Sequence, residues 1–405
     1  MNGFNKKLWK NFDFITLAIV FCLVLIGLAL ILNATASAFT GEEAGLSQIM
    51  EKLDFYYVRL QIVWFLVGVA LIVIVCAIDY HVYAELIKLP YVILNILLVI
   101  LLVLGNTNKG IAAWFEISGR MVQPSEFMKI VLIIGLAHYA AEGVEKKGRV
   151  GFDSFFLKMG AFVGIPFILV VLQPDFGTAV TYIVIMAAIL FAAKFPWRGF
   201  AGLGLLGVIG FIGYFFIGME DYQRARLINS FNLGSNETFM RIVRIEPDKM
   251  QELLSQYDTM QVDGALKVMR SGGLWGKGFF EPGTNVHLGI LPEARTDFIF
   301  ASGLEVIGVI GGLVIILLYV LLVVRAFYVA YHAKDTLGTL IVIGVISMEM
   351  YHIFENIGMN IGLLPVTGIP LPFVSYGGSN MLTNMLAIAL IINVAMRRPN
   401  KRHSH

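Results

Sequence analysis

The sequence predicts an all-α polytopic membrane protein of about ten transmembrane helices, with one long extracytoplasmic loop between helices 7 and 8. Three observations carry that expectation. Of 405 residues, 58% are hydrophobic and 14% charged, against about 45–50% and about 25% in soluble domains. The apolar residues fall in runs close to the roughly 20 residues that cross a bilayer. The cations are shared unequally between alternate connections. This composition, with 30 Lys+Arg against 28 Asp+Glu, disfavours a soluble enzyme, a disordered chain, a coiled coil and a basic nucleic-acid binder. Cys22 and Cys76 both lie in apolar runs, so neither a disulfide framework nor a Cys-based zinc site is available.

Ten spans are expected, at 14–34, 60–78, 86–105, 125–141, 156–172, 178–193, 198–219, 298–324, 337–363 and 378–396. The first follows Lys6, Lys7 and Lys10 but is too long for a signal-peptide core and lacks a small-residue cleavage site, so it is read as a retained helix. The fifth and sixth are short and separated only by Gln173-Pro174-Asp175-Phe176-Gly177. Two full spans joined by a tight turn fit the cation placement better than a re-entrant pair. With the N-terminus inside, the inner tails and short loops carry 16 Lys+Arg, whereas the short outer loops carry four, Lys52, Arg59, Lys109 and Arg120. An excess of Lys and Arg marks the cytoplasmic side, so both termini are expected there.

Residues 220–297 break the pattern of short connections and hold nine further cations. Loops longer than about 15 residues are usually functional. Within this one, Phe239, Ile242, Val243 and Ile245 alternate with Arg241, Arg244 and Glu246, which suits either a solvated outer domain or a helix lying in the headgroup layer. The chain otherwise reads as one transmembrane domain over 1–405. No internal repeat is evident, which weakens an inverted-repeat transporter reading.

Charged groups inside a membrane are costly and each is a functional candidate. The fourth span opens with Gln123-Pro124-Ser125-Glu126-Phe127-Met128-Lys129. Pro124 and Ser125 suit a helix start, and Glu126 and Lys129 share a face three residues apart. They form either an internal ion pair or a site facing an outer cavity, where Lys129 and the helix N-terminus would attract a phosphate group. Asp297 stands where the long loop meets the eighth span and either caps that helix or acts as a general base beside Arg295 or Lys129. His352, Glu355 and Asn356 share one face of the ninth span, as expected of a satisfied network between helices. Trp114 suits an interfacial anchor. The run 367–379, with Pro370, Pro372, Gly377 and Gly378, cannot be regular helix and must be buried in protein or line a wet cavity.

Several of these segments together resemble the SEDS family (shape, elongation, division and sporulation) of membrane glycosyltransferases. The matching motifs are QPSEFMK at 123–129, QPDFGTA at 173–179, SGGLWGKGF at 271–279, LPEARTDFIF at 291–300, HIFENIG at 352–358 and TGIPLPFVSYGGS at 367–379. The last two look more like the RodA elongation branch than the FtsW division branch. The resemblance implies a ten-helix fold in the bacterial cytoplasmic membrane and polymerisation of lipid II into glycan strands on its outer face. It also implies partnership with a class B penicillin-binding protein, which supplies the transpeptidase, and with other membrane proteins of the elongation or division machinery.

The family's essential acidic residue falls on Asp297. Glu126 and Lys129 match its charged pair, and Trp114 its loop tryptophan. With Gln123, Arg295 and Ser375, these form the expected substrate-binding set. Arg295 stands where histidine is common in the family, so a proton-carrying role there is doubtful. In the chemistry this implies, Asp297 takes the acceptor hydroxyl's proton while Lys129, Arg295 or a divalent cation (Mg2+ or Mn2+) neutralises the leaving diphosphate. No pattern in the sequence specifies a metal site. A flippase or other transporter of lipid-linked precursors is the alternative that intramembrane charges and a broken segment also fit.

Overall fold

A computed structural model describes residues 6–36, 53–104, 113–117, 120–219, 221, 224, 228, 259–281 and 283–398. In chain order the elements are α1 (Lys6–Trp9), α2 (Phe14–Thr35), α3 (Tyr56–Ala77), α4 (Tyr80–Leu86), α5 (Lys88–Leu104), β1 (Phe115–Ile117), β2 (Arg120–Val122), α6 (Pro124–Lys147), α7 (Ser154–Leu172), α8 (Phe176–Ala192), α9 (Trp197–Ile217), α10 (Thr259–Gly272), α11 (Ile299–Tyr331), α12 (Thr336–Asn360) and α13 (Gly378–Met396). The protein is an all-α polytopic membrane protein, and each of the ten expected spans falls on a helix. Among the described residues eight helices are long and apolar enough to cross a bilayer, and the bent pair α4–α5 makes a ninth. The remaining expected span is α8, which is apolar but has only 17 residues.

Local chemistry explains where these helices begin and break. Asp13, Asp79, Asp153, Asp175 and Asp335 each cap a helix through a side-chain oxygen that accepts a backbone N–H, which satisfies donors a helix leaves open at its start. The expected span 86–105 begins earlier, at Tyr80, and bends by 56° between α4 and α5. Pro90 accounts for the break, because its ring crowds the carbonyl four residues back, at Leu86, where α4 ends. The seventeen-residue α8 follows α7 after the three residues 173–175, so the expected tight turn joins two separate helices.

Helices α6, α12 and α13 form the inside of the bundle, each with most of its residues buried. By contrast, α9 buries only Gly199 and Phe215 and exposes an apolar surface that suits lipid. At one end of the bundle, Arg325 makes a two-pronged pair with the α2 cap Asp13 (Nη2 to Oδ1 2.9 Å, Nε to Oδ2 3.0 Å). This pair holds α11 seven residues beyond the expected limit of 324. At the same end Arg397 Nε lies 2.9 Å from Asp79 Oδ2, and Tyr80 donates to Asp335 Oδ2 at 2.6 Å.

At the other end, α11 breaks at Gly308 (φ 67°, ψ −177°), a conformation that an L side chain resists. The segment 273–278 fills the break. Lys277 N–H and Gly278 N–H donate to the carbonyls of Glu305 and Val306, and Val309 N–H and Ile310 N–H donate to those of Gly273 and Leu274. These bonds partner four of the backbone groups that the break opens, as polar backbone at membrane depth requires. Fully buried Glu305 fastens the same segment. Its carboxylate accepts from Lys277 Nζ (2.7 Å), Ser271 Oγ (2.8 Å), Asn285 N–H (2.8 Å), Asn285 Nδ2 (3.0 Å) and Val286 N–H (3.0 Å). Beside it, α10 packs Ala265 and Val268 against Val286, Leu291, Ala294, Phe298 and Ala301 in a small separate core. The stretch 239–246 lies outside the described residues.

Glu305→Ala leaves Lys277 and four other donors without their acceptor, a change of about 3–5 kcal/mol where one partner of a buried pair is removed. The variant should melt earlier in detergent and be cleaved first within 271–286 by protease. An unshifted melt with an uncut loop would contradict this role.

Candidate active site

The site is built on the turn that leads into α11. Three consecutive carbonyls of that turn are held from elsewhere in the bundle. Arg295 O accepts from Tyr376 N–H at 3.0 Å and Thr296 O from Ser375 Oγ at 2.7 Å. Asp297 O accepts from Asn356 Nδ2 at 2.9 Å and Asn360 Nδ2 at 3.0 Å. Glu293, with φ 54°, opens the turn in a region sparsely populated by non-glycine residues, and its carbonyl accepts from the amides of Thr296 and Phe298. Asp297 itself is half-buried. Its carboxylate faces Gly368, where an added Cβ would lie 3.6 Å from Oδ2. Gly368 has φ +75°, so the run 367–377 passes close to Asp297 in a conformation a larger residue would strain.

Arg295 is half-buried and stacks over the ring of Tyr57, its guanidinium carbon 4.3 Å from the ring centre. Tyr57 in turn meets Tyr376 edge-on at 5.0 Å. Burial raises the Tyr376 phenol above its ordinary value, and both Arg295 and Arg120 lie within electrostatic reach of it. The Nε of Arg295 is buried without an acceptor among the described residues.

Glu126 and Lys129 sit one turn deeper. Lys129 Nζ donates to Glu126 Oε1 at 2.6 Å and lies 3.2 Å from His352 Nε2, and both residues of the pair are at least 95% buried. The internal ion pair, not the open cavity-facing site, is what the structure shows. Gln123 caps α6 from the β1–β2 hairpin, whose register pairs Phe115 with Val122 and Glu116 with Met121. Its side chain donates to Asp175 Oδ2 at 2.8 Å, and its amide donates to Ser379 Oγ at 3.1 Å. Trp114 is half-buried immediately before β1, and the preceding residues 110–112 lie outside the described residues.

Two expectations change. Ser375 was expected to bind substrate, but it is fully buried. Its hydroxyl both donates to Thr296 O and accepts from Leu371 N–H at 2.8 Å, so it fastens the broken segment to the catalytic turn and has no face for a ligand. The network expected among His352, Glu355 and Asn356 divides. Asn356 is satisfied by Asp297 O and Ile369 O, and Glu355 accepts from Thr367 Oγ1 at 2.9 Å. His352 instead joins Lys129. Asn360 and Tyr57 escaped the sequence reading, although Asn356 and Asn360, four apart on one helix face, were a readable signal. The run 367–377 is non-helical, as expected; Ile369 and residues 371–375 are buried, whereas Gly368, beside Asp297, is exposed. A groove of about 380 Å3 between α5 and α7 is lined by residues including Ile96, Val99 and Ile165, all exposed on the apolar outer face, and none of its lining residues belongs to the Asp297 turn.

The arrangement defines a membrane protein with a fixed carboxylate and a stacked arginine at one mouth of a helical bundle. The family model FTSW_RODA_SPOVE, described as a cell cycle protein, matches residues 15–400, and the chain belongs to this SEDS family. It is similar to stage V sporulation protein E of Bacillus subtilis (31% identical, covering 94% of this chain and 96% of that protein). It is also similar to peptidoglycan glycosyltransferase MrdB of Escherichia coli K12 (32% identical, 82% of this chain and 83% of that protein). Among solved structures, its fold matches a chain of a peptidoglycan synthase complex (TM-score 0.70, 21% identical, 95% of this chain and 97% of that one). It also matches the rod shape determining protein RodA of Thermus thermophilus (TM-score 0.64, 23% identical, 96% and 97%).

Asn356→Ala removes a donor from both Asp297 O and Ile369 O and should destabilise the fold by about 1–3 kcal/mol. A Tm equal to that of the unaltered protein would show that the turn is held without it.

Proposed function

We propose that this protein is a peptidoglycan glycosyltransferase that polymerises lipid II on the outer face of the bacterial cytoplasmic membrane, with both termini in the cytoplasm. Family membership and the names of the curated relatives support the activity. The observation that carries the mechanism is the clamped turn, which presents Asp297 from a backbone that cannot drift. Holding a reacting group in place removes much of the entropic cost of meeting its substrate.

In the reaction, the Asp297 carboxylate takes the proton of an acceptor sugar hydroxyl. The freed oxygen forms a bond to the donor's anomeric carbon, and the bond from that carbon to the diphosphate oxygen breaks. Undecaprenyl diphosphate leaves with the electron pair, and direct displacement inverts the anomeric centre. A diphosphate is a good leaving group, so the demand is for a base and for positive charge. Arg295, stacked on Tyr57 beside the turn that carries Asp297, is the cation we assign to the diphosphate. Lys129, being buried, contributes its field without contact.

Among the described residues no group of three or more His, Cys, Asp or Glu side chains forms a metal cage. Mg2+ is commonly held by one or two carboxylates together with substrate phosphates, and Asp297 with the diphosphate would be such a set. The similarity to a chain of a peptidoglycan synthase complex supports a class B penicillin-binding protein as partner, alongside other membrane proteins of wall synthesis. The motifs at 352–358 and 367–379 support service in cell elongation and shape.

Asp297→Asn should abolish polymerisation of purified lipid II while leaving the Tm unchanged; undiminished glycan chains would remove Asp297 from the mechanism. Lys129→Met leaves Glu126 as an uncompensated buried charge and should lose about 3–5 kcal/mol of stability. Glu126→Gln combined with Lys129→Met should recover folded protein but not turnover, and recovery of both would make the pair purely structural. A chelator should halt polymerisation, with restoration by Mg2+ or Mn2+, if the cation shares the diphosphate with Asp297. Full activity in chelator leaves neutralisation to Arg295.

A further inference from the structure

The groove between α5 and α7 plays no part in the proposed reaction, yet its construction is specific. Phe162 of α7 sits on Gly135 of α6, where an added Cβ would run into its ring. The ring of Tyr91 on α5 stacks on Phe162, with centroids 4.0 Å apart. Further along, Gln173 Nε2 donates to Leu98 O at 2.9 Å. These two contacts set α5 and α7 side by side and parallel, both running away from the end of the bundle that holds Asp79. Two polar residues line the groove, Tyr91 and Asn95. The Tyr91 hydroxyl and Asn95 Oδ1 are buried, and Asn95 Nδ2 donates to Tyr91 O at 2.8 Å. The wall that faces outward is therefore hydrocarbon.

Helical register puts one lysine of each helix at the foot of this groove. On α7, Lys158 shares a face with Ile165 and Leu169, two and three turns further along. On α5, Lys88 shares a face with Val92, Asn95 and Val99, one, two and three turns further along. Lys88 precedes Tyr91, and Lys158 precedes Phe162, by about one turn each, so the stacked rings place both lysines at the same depth. Both are exposed. Glu142 and Asp153, the acids beside them on α6 and at the α7 cap, are taken by Lys146 at 2.5 Å and Lys147 at 2.9 Å. Exposed Glu85 and Glu145 complete the acids nearby in the chain, and among the described residues no carboxylate pairs with Lys88 or Lys158. The ammonium of Lys158 also shares the ring of Phe155 with those of Lys146 and Lys147, at 5.4, 5.7 and 5.5 Å from its centre. Three like charges thus gather at one ring, and two carboxylates answer them.

A lysine near a helix end keeps its stem on apolar surface and sends its charge toward the polar layer. Basic residues between transmembrane helices are a setting in which anionic headgroups are held. We infer that the groove between α5 and α7 is a binding site for one anionic phospholipid, with an acyl chain along Val92, Val99, Ile165 and Leu169 and the phosphate between Lys88 and Lys158. Charge complementarity selects this occupant. A neutral lipid or an apolar partner helix would cover the hydrocarbon wall but leave both ammonium groups without a counter-charge. That the lipid belongs to the cytoplasmic leaflet rests on the orientation proposed above; the binding itself rests neither on that orientation nor on the polymerase reading.

Native mass spectrometry of the full-length protein tests the site. The protein is delipidated in detergent and titrated at low ionic strength with dioleoyl phosphatidylglycerol or dioleoyl phosphatidylcholine, which share their acyl chains. One phosphatidylglycerol should bind about thirtyfold more tightly than phosphatidylcholine, which is about 2 kcal/mol for two cations. Lys88→Gln combined with Lys158→Gln should bring the two lipids to within about threefold of each other. Arg198→Gln combined with Lys334→Gln removes two exposed cations elsewhere on the protein and should leave the preference intact. Val99→Trp, which fills the groove and keeps both lysines, should weaken phosphatidylglycerol binding by about tenfold. Equal binding of the two lipids by the unaltered protein, equal loss in the two double variants, or full binding by Val99→Trp would each overturn the inference. Undecaprenyl phosphate that displaces phosphatidylglycerol and binds more tightly would assign the groove to a polyprenyl carrier and overturn it as well.

Discussion

Three neighbouring carbonyls, those of Arg295, Thr296 and Asp297, carry the rest of the site. Each is bound by a donor from the far side of the sequence: the Tyr376 amide, the Ser375 hydroxyl, and the paired amides of Asn356 and Asn360. A turn at the end of a long loop would ordinarily be among the most mobile parts of a membrane protein. Here its backbone is built into the interior of the bundle, and only its side chains remain for chemistry. The broken segment 367–377 serves the same end. Its polar backbone is tolerable at depth because the turn and α12 bond to it, and the left-handed backbone at Gly368 brings it beside the carboxylate.

The two ends of the bundle manage charge differently. At one end, the capping aspartates Asp13 and Asp79 pair with Arg325 and Arg397, and in each pair one partner still reaches water, so the pairs position helices at modest cost. At the other end, Glu126, Lys129 and Glu349 are almost wholly buried, and breaking such a pair is strongly unfavourable.

Hydropathy made the spans readable because each outer helix is apolar all round, α9 most clearly. Boundaries were less readable. Arg325 looked like a loop cation, yet its partner Asp13 keeps it helical, and Pro90 breaks a span that runs on in composition. The candidate site was readable where a motif concentrated polar residues, as around Asp297 and Lys129. It was not readable where one polar residue stood alone in an apolar run. Glu305 is of this kind, since its partner Lys277 comes from a distant segment. Ser375 misled for the opposite reason: a hydroxyl in a glycine-rich, proline-rich run looks exposed until tertiary contacts enclose it. The β1–β2 hairpin is too short to show a strand pattern.

The proposed reaction requires that the carboxylate of Asp297 be open to the cell exterior while Ser375, which clamps its turn, is sealed. Cysteine accessibility tests this directly. With Cys22 and Cys76 replaced by serine, a cysteine substituted for Asp297 should react with a membrane-impermeant maleimide added to intact cells, and one substituted for Ser375 should not. Labelling of position 297 only after the membrane is permeabilised, or equal labelling of both positions from outside, would contradict the account.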